Sequence, residues 1–300
     1  MSAKKFSRCV VWLLVVFGVA LSGCDQPQPA PKKPAKRKRV KPKEEVRTPP
    51  EKPEKPKEVA SPEPAAAKSL ELDRQRIAVD EKWGITFSAD KKTLLNYNRQ
   101  LRAKKYVVPN GVTAIGKEAL SRCSNLAIVT IPEGLTSIGE SAFAECDNLT
   151  TVVIPASVTG MGDAAFAWCE NLRNVTISEG VPAVGRRAFW GCGNLAVITI
   201  PSSVKTIGWG AFSGCDNLTN VTISPGVTVI GKRAFERCRR LASVAIPESV
   251  TTIEDAAFSG CKSLKSVTIP KSVTSIGREA FKGCPCEGEV MEKFPDLYRM

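Results

Sequence analysis

From about residue 107 onward, the apolar positions of the chain recur with a period of 23 residues. Four columns of like residues keep this spacing: a leucine, a glycine, an aromatic residue and a cysteine. The cysteine column consists of Cys123, Cys146, Cys169, Cys192, Cys215, Cys238, Cys261 and Cys284. A strict period of this length predicts stacked units, each of which buries its apolar face only against its neighbours.

Within one unit the pattern changes from strand-like to turn-like. Residues 149–155 (LTTVVIP) follow the pattern L-x-x-V-x-I-P, whose positions alternate inward and outward and end at a proline, which predicts a short strand. Residues 157–162 predict a short extended bend. Ala165 and Cys169 are four residues apart, which predicts a brief helical turn with both side chains on its inner side. The chain is therefore expected to be an α/β solenoid, with short parallel strands on one face and short helical turns on the other.

The unit L-x-x-V-x-I-P-x-x-V-x-x-I-G-x-x-A-F-x-x-C resembles the repeat of the BspA-like leucine-rich repeat family of bacterial surface proteins. About eight such units fill residues 107–286. The resemblance implies a right-handed leucine-rich repeat solenoid, and adhesion or protein binding as its function. It also implies an N-terminal cap over residues 67–106, with a hairpin that turns at Asp90-Lys91. Glu287 stands where leucine is expected, so residues 287–300 are expected to form a C-terminal cap.

The first residues predict an export signal. Three basic residues precede an apolar run of 13 residues from Cys9 to Leu21. A helix needs about 20 apolar residues to span a bilayer, so this run has instead the length of a secretory signal core. It ends in Leu21-Ser22-Gly23-Cys24, which resembles the lipobox of bacterial lipoproteins. The resemblance implies cleavage of a signal peptide at residues 1–23 and lipidation of Cys24, which makes the membrane a partner.

Residues 24–66 predict a disordered tether behind the lipidated cysteine. Eleven of the chain's 21 prolines lie between Asp25 and Pro64, among charged residues and alanine, so this stretch cannot bury enough apolar surface to fold. Residues 32–43 carry eight positive charges. They form either a solvated linker or a contact with anionic headgroups or cell-wall polymer. Because the chain is expected to be exported, no nucleic-acid partner is expected, despite a net charge of +13.

The cysteine column has three possible chemical roles. Its members act as buried, unpaired thiols, as disulfides between neighbouring units, or as metal ligands. Stacked units place equivalent residues about 4.7–5 Å apart, within reach of a disulfide, but parallel side chains disfavour the disulfide torsion. A linear column cannot converge four ligands on one metal ion. The pattern therefore favours a column of unpaired thiols that fill the core.

Enzymatic chemistry finds little support in the composition. The sequence contains no histidine, which removes the usual general base and the commonest zinc ligand. Cys284 and Cys286 lie at the end of the column, but no nearby residue supplies a base. We expect no enzymatic activity, no cofactor and no metal.

The outward positions of the predicted strands form one candidate binding surface. They are nearly uncharged and rich in hydroxyl and amide groups. Either these residues are ordinary exposed strand formers, or they form a hydrogen-bonding surface for a protein or glycan. The candidate residues on this concave face are Thr151, Asn174, Thr176, Thr199, Asn220 and Thr222.

Three tryptophans form a second candidate surface. Trp168, Trp190 and Trp209 occur in successive units at one, two and six residues before the local cysteine. On a helical turn the last two offsets share a face, so the indoles are expected to cluster there. They either pack between units or form an apolar docking patch. Basic residues lie in the same segments, either as solvated charges or as an anion site: Arg186, Arg187, Lys232, Arg233, Arg237, Arg239 and Arg240.

Together these features predict a lipid-anchored protein of the bacterial cell envelope whose repeats bind a protein or glycan. Surface adhesion at the outer membrane or cell surface is one interpretation. The other is an envelope scaffold on the periplasmic face of the inner membrane, which contacts cell wall or another envelope protein. Asp25, next to the lipidated cysteine, and the basic run at 32–43 favour the second interpretation.

A substitution at Cys24 tests the lipid anchor. Cys24→Ala removes the only thiol at the predicted lipidation site, so cells that express it should incorporate no labelled fatty acid into the protein, and the protein should leave the membrane fraction. The matched control is Cys9→Ala, which keeps the lipidation site and should label normally. Labelling of the Cys24→Ala protein would contradict the prediction.

Overall fold

The computed structural model describes residues 75–296, which form a solenoid of stacked coils. The predicted signal peptide 1–23, Cys24, the tether 24–66 with its basic run 32–43, and residues 67–74 of the predicted cap lie outside the described residues. The last four residues, 297–300, lie outside them as well. Within residues 75–296, no helix has both the length and the apolar character that crossing a bilayer requires.

A row of parallel strands follows the predicted strand segments. Each strand pairs with the strand 23 residues later, as in Thr151 with Asn174 and Val153 with Thr176. Side chains alternate along a strand, so valine and isoleucine enter the core while threonine and asparagine face outward. The six strands of this main sheet are β3 (Lys105–Val107), β5 (Ile128–Thr130), β7 (Thr151–Ile154), β9 (Asn174–Ile177), β11 (Val197–Ile200) and β13 (Asn220–Ile223). The next two, β15 (Ser243–Ala245) and β17 (Ser266–Thr268), pair with each other.

A second row of strands occupies the predicted bends. The bend at residues 157–162 contains a two-residue strand, and its equivalents pair in parallel from coil to coil. The interpretation as a bend was therefore incomplete, because a strand of two residues is too short to show alternation. One sheet contains β1 (Thr86–Phe87), β2 (Thr93–Asn96), β4 (Ala114–Ile115), β6 (Ser137–Ile138) and β8 (Gly160–Met161). The other contains β10 (Ala183–Val184), β12 (Thr206–Ile207), β14 (Val229–Ile230), β16 (Thr252–Ile253) and β18 (Ser275–Ile276).

The interruption between β8 and β10 coincides with a proline. In neighbouring coils the residue before this short strand donates its main-chain N–H to the coil before, as Thr159 does to Thr136 at 3.0 Å and Lys205 to Pro182 at 2.8 Å. Pro182 occupies the same position in the coil between them and has no N–H to donate. The second row of strands therefore divides into two sheets at this coil.

The third side of each coil is a series of tight turns, so the predicted helical turns are not confirmed. Residues 107–286 contain no helix. Two positions per coil instead adopt a left-handed backbone, for example Arg187 (φ 53°) and Gly191 (φ 71°). Because left-handed residues interrupt the turn at these positions, the N–H groups of residues 187, 189 and 191 all point toward the following coil. They donate there to the carbonyls of Trp209, Ala211 and Ser213 at 2.8–2.9 Å. We call this side the turn face.

The core consists of the apolar columns predicted from the sequence. The phenylalanine rings of successive coils stack with centroids 4.8–5.4 Å apart from Phe143 to Phe281. Each of these rings is fully buried. Removing such a side chain from a close-packed core costs about 3–5 kcal/mol, so this column stabilises the solenoid strongly.

The nine cysteines within residues 75–296 are buried, unpaired thiols. Seven of them donate to the main-chain carbonyl of the residue 26 positions earlier, as Cys215 Sγ does to Phe189 O at 3.3 Å. Burial raises the pKa of Cys192 to about 12 and that of Cys215 well above its usual value. The thiols of Cys192 and Cys215 therefore stay protonated, and each fills core volume while it donates to a main-chain carbonyl.

The two ends of the described region differ from the coils. A helix, α1, includes residues 75–82, and β1 and β2 form an antiparallel hairpin around the turn at Asp90-Lys91. At the other end, helix α2 covers Glu287–Lys293. The Glu287 carboxylate accepts the N–H of Gly283 at 2.9 Å, a group that in earlier coils donates to the next coil. The carboxylate of Glu287 thus terminates this line of main-chain hydrogen bonds.

Alkylation mapped by mass spectrometry tests the thiol column. In the folded protein the nine cysteines should resist iodoacetamide at pH 8, because burial blocks the reagent's access to their sulfur atoms. After denaturation without reductant, all nine should react. Cys24, if unlipidated, serves as the internal reactive reference. Peptides that react only after reduction would reveal disulfides and contradict this description.

Candidate functional site

The outward residues of the main sheet lie where the sequence analysis placed them. Asn174, Thr176, Thr199, Asn220 and Thr222 are exposed, and Thr151 is half-buried. None of these six side chains forms a hydrogen bond to another of the described residues. A shallow depression of about 380 Å³ lies over β9 and β11. Exposed Val153 and Val197 interrupt the polar rows, so this surface is uncharged and mixed in polarity.

The three tryptophans meet on the turn face. The rings of Trp168 and Trp190 lie 5.0 Å apart between centroids, at an angle of 53°. The Arg187 guanidinium lies 4.8 Å from the Trp190 ring and 4.0 Å from the Trp209 ring, and so links the two indoles. The expected clustering is present, but stacking of coils produces it, since these segments are turns and share no helical face. We call Trp168, Arg187, Trp190 and Trp209 the tryptophan–arginine cluster.

A groove adjoins the tryptophan–arginine cluster because one coil carries small side chains. Residues 23 positions apart are neighbours, so Gly210 lies between Arg187 and Arg233. In the same way, Ser213 lies between Trp190 and Glu236. This coil is therefore recessed at Gly210 and Ser213, between two coils with large side chains.

A third column completes the groove. It contains Trp168, Gly191, Gly214 and Arg237 in successive coils, all with a left-handed backbone. The Trp168 indole lies directly against Gly191, where an added Cβ would be 2.5 Å from its ring. Among the described residues, no indole lies against Gly214, which forms part of the floor of the groove. The groove has a volume of about 650 Å³ and is open to solvent.

The polar lining of the groove contains both charges and amides. Asn194 and Asn217 are hydrogen-bonded to each other at 3.3 Å. Asp216 pairs with Arg239 at 3.5 Å, and Glu236 accepts a hydrogen bond from Ser213 at 3.4 Å. Several groove positions therefore combine donors and acceptors of hydrogen bonds.

Two arginines of the groove are not engaged within the described part of the chain. The guanidinium groups of Arg233 and Arg237 have no ion-pair or hydrogen-bond partner among residues 75–296 and are exposed. Their basic neighbours differ: Arg186 pairs with Asp163, Lys232 with Asp255, and Arg240 bonds to Asn217. Of the predicted basic residues, Arg233 and Arg237 are the ones placed to meet an anionic group of a ligand.

The cysteines at the end of the column, Cys284 and Cys286, are the residues that the sequence analysis considered for enzymatic chemistry. Cys286 is buried, and its hydrogen bond with Cys284, together with burial, raises its thiol pKa far above the usual value. Among residues 75–296, no three acidic or cysteine side chains converge as a metal site would require.

The sequence analysis identified the tryptophans but missed the groove. Gly210, Ser213, Gly214, Asn194 and Asn217 were not singled out, because each is an ordinary turn residue when considered alone. The groove can be found in the sequence when residues 23 positions apart are compared, because that comparison shows small residues of one coil between large residues of the two adjacent coils.

Comparison with known proteins agrees with this fold. The family model described as "BspA type Leucine rich repeat region" matches residues 96–208 and 182–292, in six copies overall. A search of the curated proteins gives no match.

Two solved structures share the fold. One is a leucine-rich repeat protein from Eubacterium ventriosum, 26% identical with a TM-score of 0.53, and the match covers 67% of this chain and 48% of that one. The other is the T. pallidum leucine-rich repeat protein TpLRR, 25% identical with a TM-score of 0.52, where the match covers 70% of this chain and 89% of that one. The chain thus spans about half the length of the first of these proteins.

A pair of glycine substitutions tests the packing of the tryptophan–arginine cluster. Gly191 and Gly260 occupy the same column with nearly equal φ, 71° and 73°. Alanine at either site should cost about 1–2 kcal/mol for the left-handed backbone. Gly191→Ala should cost more and shift tryptophan emission to longer wavelength, because its Cβ displaces the Trp168 indole.

Gly260→Ala is the matched control, since its added Cβ would lie 3.4 Å from the flexible Arg237 side chain and no closer than 3.8 Å to the Arg237 main chain. Thermal unfolding and fluorescence measure both effects. Equal destabilisation with unchanged emission in both variants would contradict the described contact.

Proposed function

The chain belongs to the BspA-type leucine-rich repeat family, and from that premise we propose that it is a lipid-anchored binding protein of the bacterial cell envelope. The turn-face groove beside the tryptophan–arginine cluster holds its protein or glycan partner. The most direct role for such a protein is adhesion at the cell surface. Binding, rather than catalysis, is the activity proposed.

The groove is the observation that carries this proposal. It combines an indole that is 44% exposed, two guanidinium groups without partners in the described region, and a recessed floor of small residues. Exposed aromatic and arginine side chains are the residue types that contribute most to binding energy at interfaces. The main-sheet face offers no comparable anchor, since its outward residues are hydroxyl, amide and aliphatic side chains, with Lys105 the one charged residue on the six described strands.

The N-terminal sequence supports the proposed anchor. A short apolar run followed by Leu21-Ser22-Gly23-Cys24 has the order required for export, cleavage and lipidation. More than one acyl chain is needed for stable anchoring, and a lipidated cysteine with an acylated amino terminus meets that requirement. The proline-rich tether then gives the repeats reach from the membrane.

Two positions in the envelope fit these features. On the cell surface, the groove would contact molecules outside the cell. On the periplasmic face of the inner membrane, it would contact cell wall or another envelope protein, and Asp25 and the basic run at 32–43 support this alternative. Surface display is the first proposal, because an open binding groove on a long tether suits contact at a distance.

Protease treatment of intact cells that express the full chain decides between these positions. Surface display predicts loss of the repeat domain, whereas the periplasmic alternative predicts its protection until the outer membrane is opened. A periplasmic protein of the same cells, still protected, is the control for membrane integrity.

Adhesion assays test the role of the groove. Cells that display the Trp168→Gly/Arg237→Gln protein should attach to host matrix or partner bacteria at least tenfold less than cells with the unchanged protein. Glycine suits position 168, because the equivalent positions 191 and 214 are left-handed glycines. The control is Trp83→Ala/Arg122→Gln, and both of its residues lie outside the groove. Trp83 is an exposed tryptophan, and Arg122 is an arginine in the same column as Trp168 and Arg237. Equal attachment of both double variants would refute groove-mediated adhesion.

A further inference from the structure

The chemistry of the groove lining indicates one class of partner. We propose that the groove binds an oligosaccharide made of neutral, hydroxylated rings with a single carboxylate group. This inference rests on the proposed function, since it identifies the partner of the same groove. It depends on three features: a fixed indole, mixed hydrogen-bonding groups and an uneven distribution of charge.

The fixed indole provides a stacking surface. Trp168 is 44% exposed, yet it is held by Trp190 at 5.0 Å and by direct contact with Gly191. A side chain already held in one position loses little entropy when a ligand binds. The apolar C–H face of a sugar ring suits such an exposed aromatic ring, because it buries carbon on carbon while the hydroxyl groups stay at the ring's edge.

The groove lining also matches the hydrogen-bonding capacity of sugar hydroxyls. Asn194 and Asn217 each keep one N–H and one oxygen lone pair beyond the hydrogen bonds that they already form. Ser213 donates its hydroxyl hydrogen to Glu236, so a ligand finds acceptors at both of these residues. A hydroxyl group likewise donates and accepts, so it pairs with either kind of neighbour. Gly210 is buried and Gly214 half-buried, so the floor presents little side-chain volume and, within the described residues, no deep apolar pocket for a large peptide side chain.

The charged side chains of the groove lining determine how many carboxylate groups the ligand should carry. Arg233 and Arg237 have no partner among residues 75–296, and a guanidinium binds a carboxylate through two parallel hydrogen bonds. Glu170, Asp216 and Glu236 also line the groove, and of these three only Asp216 is paired with an arginine of residues 75–296. These carboxylates would repel a ligand with a negative charge on every ring. The groove therefore favours one carboxylate, placed near Arg233 and Arg237.

The length of the groove favours more than one sugar ring. Trp168 and Arg237 lie three coils apart in one column, which at the spacing of stacked strands is ~14 Å. A ligand that reaches both must be an oligosaccharide with its carboxylate away from the stacked ring. Two sources supply such molecules: sialylated glycans of host surfaces, and cell-wall glycan from which the stem peptide has been removed, so that the lactyl group of N-acetylmuramic acid ends in a free carboxylate.

Calorimetry with matched sugar pairs tests the inference on the purified full-length protein. Sialyllactose is compared with lactose, and the disaccharide of N-acetylglucosamine and N-acetylmuramic acid with di-N-acetylchitobiose. At least one acidic sugar should bind ten times or more tightly than its neutral counterpart. A preference for the sialylated pair indicates a host glycan, and a preference for the muramic acid pair indicates the cell wall.

Single substitutions assign the binding to the groove. Arg237→Gln should reduce the affinity for the acidic sugar to that of its neutral counterpart, and Trp168→Gly should weaken both sugars of the pair at least tenfold. The controls are Arg122→Gln, at the same column position outside the groove, and Trp83→Ala. Both controls should bind as the unchanged protein does. Circular dichroism and thermal unfolding establish that each variant is folded.

Several outcomes would overturn the inference. They are equal affinity within both sugar pairs, tighter binding of a heparin tetrasaccharide than of either single-carboxylate sugar, or binding that the groove variants leave unchanged. Groove-dependent binding of an acidic hexapeptide, with none of the sugars, would indicate a protein partner instead. In that case attachment would still depend on Trp168 and Arg237, so the proposed function would stand while the glycan assignment fails.

Discussion

Main-chain hydrogen bonding between coils, at a constant offset in sequence, is the constraint on which the rest of the structure depends. Strand residues pair with residues 23 positions later, and on the turn face Phe189 N–H reaches Ala211 O at 2.8 Å. Because the backbone repeats, equivalent residues of successive coils occupy equivalent environments. A side chain that enters the core must then fit its neighbours above and below in the column, which keeps the phenylalanine, leucine and cysteine columns uniform.

The same constraint determines what the cysteines do. In the exported compartment that the N-terminal sequence predicts, a row of thiols would be expected to oxidise. In the fold, however, Cys215 is fully buried and donates to Phe189 O, and its neighbours do the same in their own coils. The chemistry of these side chains is thereby confined to packing and hydrogen bonding. Function must depend on surface columns, where residues can vary without disturbing the stack.

Variation in the surface columns creates the groove. The backbone of the coil at residues 209–217 follows the same course as its neighbours, so Gly210, Ser213 and Gly214 produce a depression by the absence of side-chain volume alone. Large residues on the adjacent coils, Trp190 on one and Arg237 on the other, become its walls. A regular scaffold can thus form a specific site simply through the sizes of side chains in successive repeats.

The sequence by itself determined the architecture of the repeats. The period of 23 residues, the alternation in segments such as LTTVVIP and the aromatic and cysteine columns predicted the parallel sheet and the core, because burial repeats whenever the backbone does. It did not reveal the second row of strands, since two residues are too few for a pattern. Nor did it reveal the left-handed turns, which residues such as Arg187 and Trp168 adopt only because inter-coil hydrogen bonds offset their cost. Tertiary structure alone decided the site: apart from Glu170, the groove beside Trp168 is formed by residues of the next three coils, among them those 23, 46 and 69 positions later, and stacking brings them together.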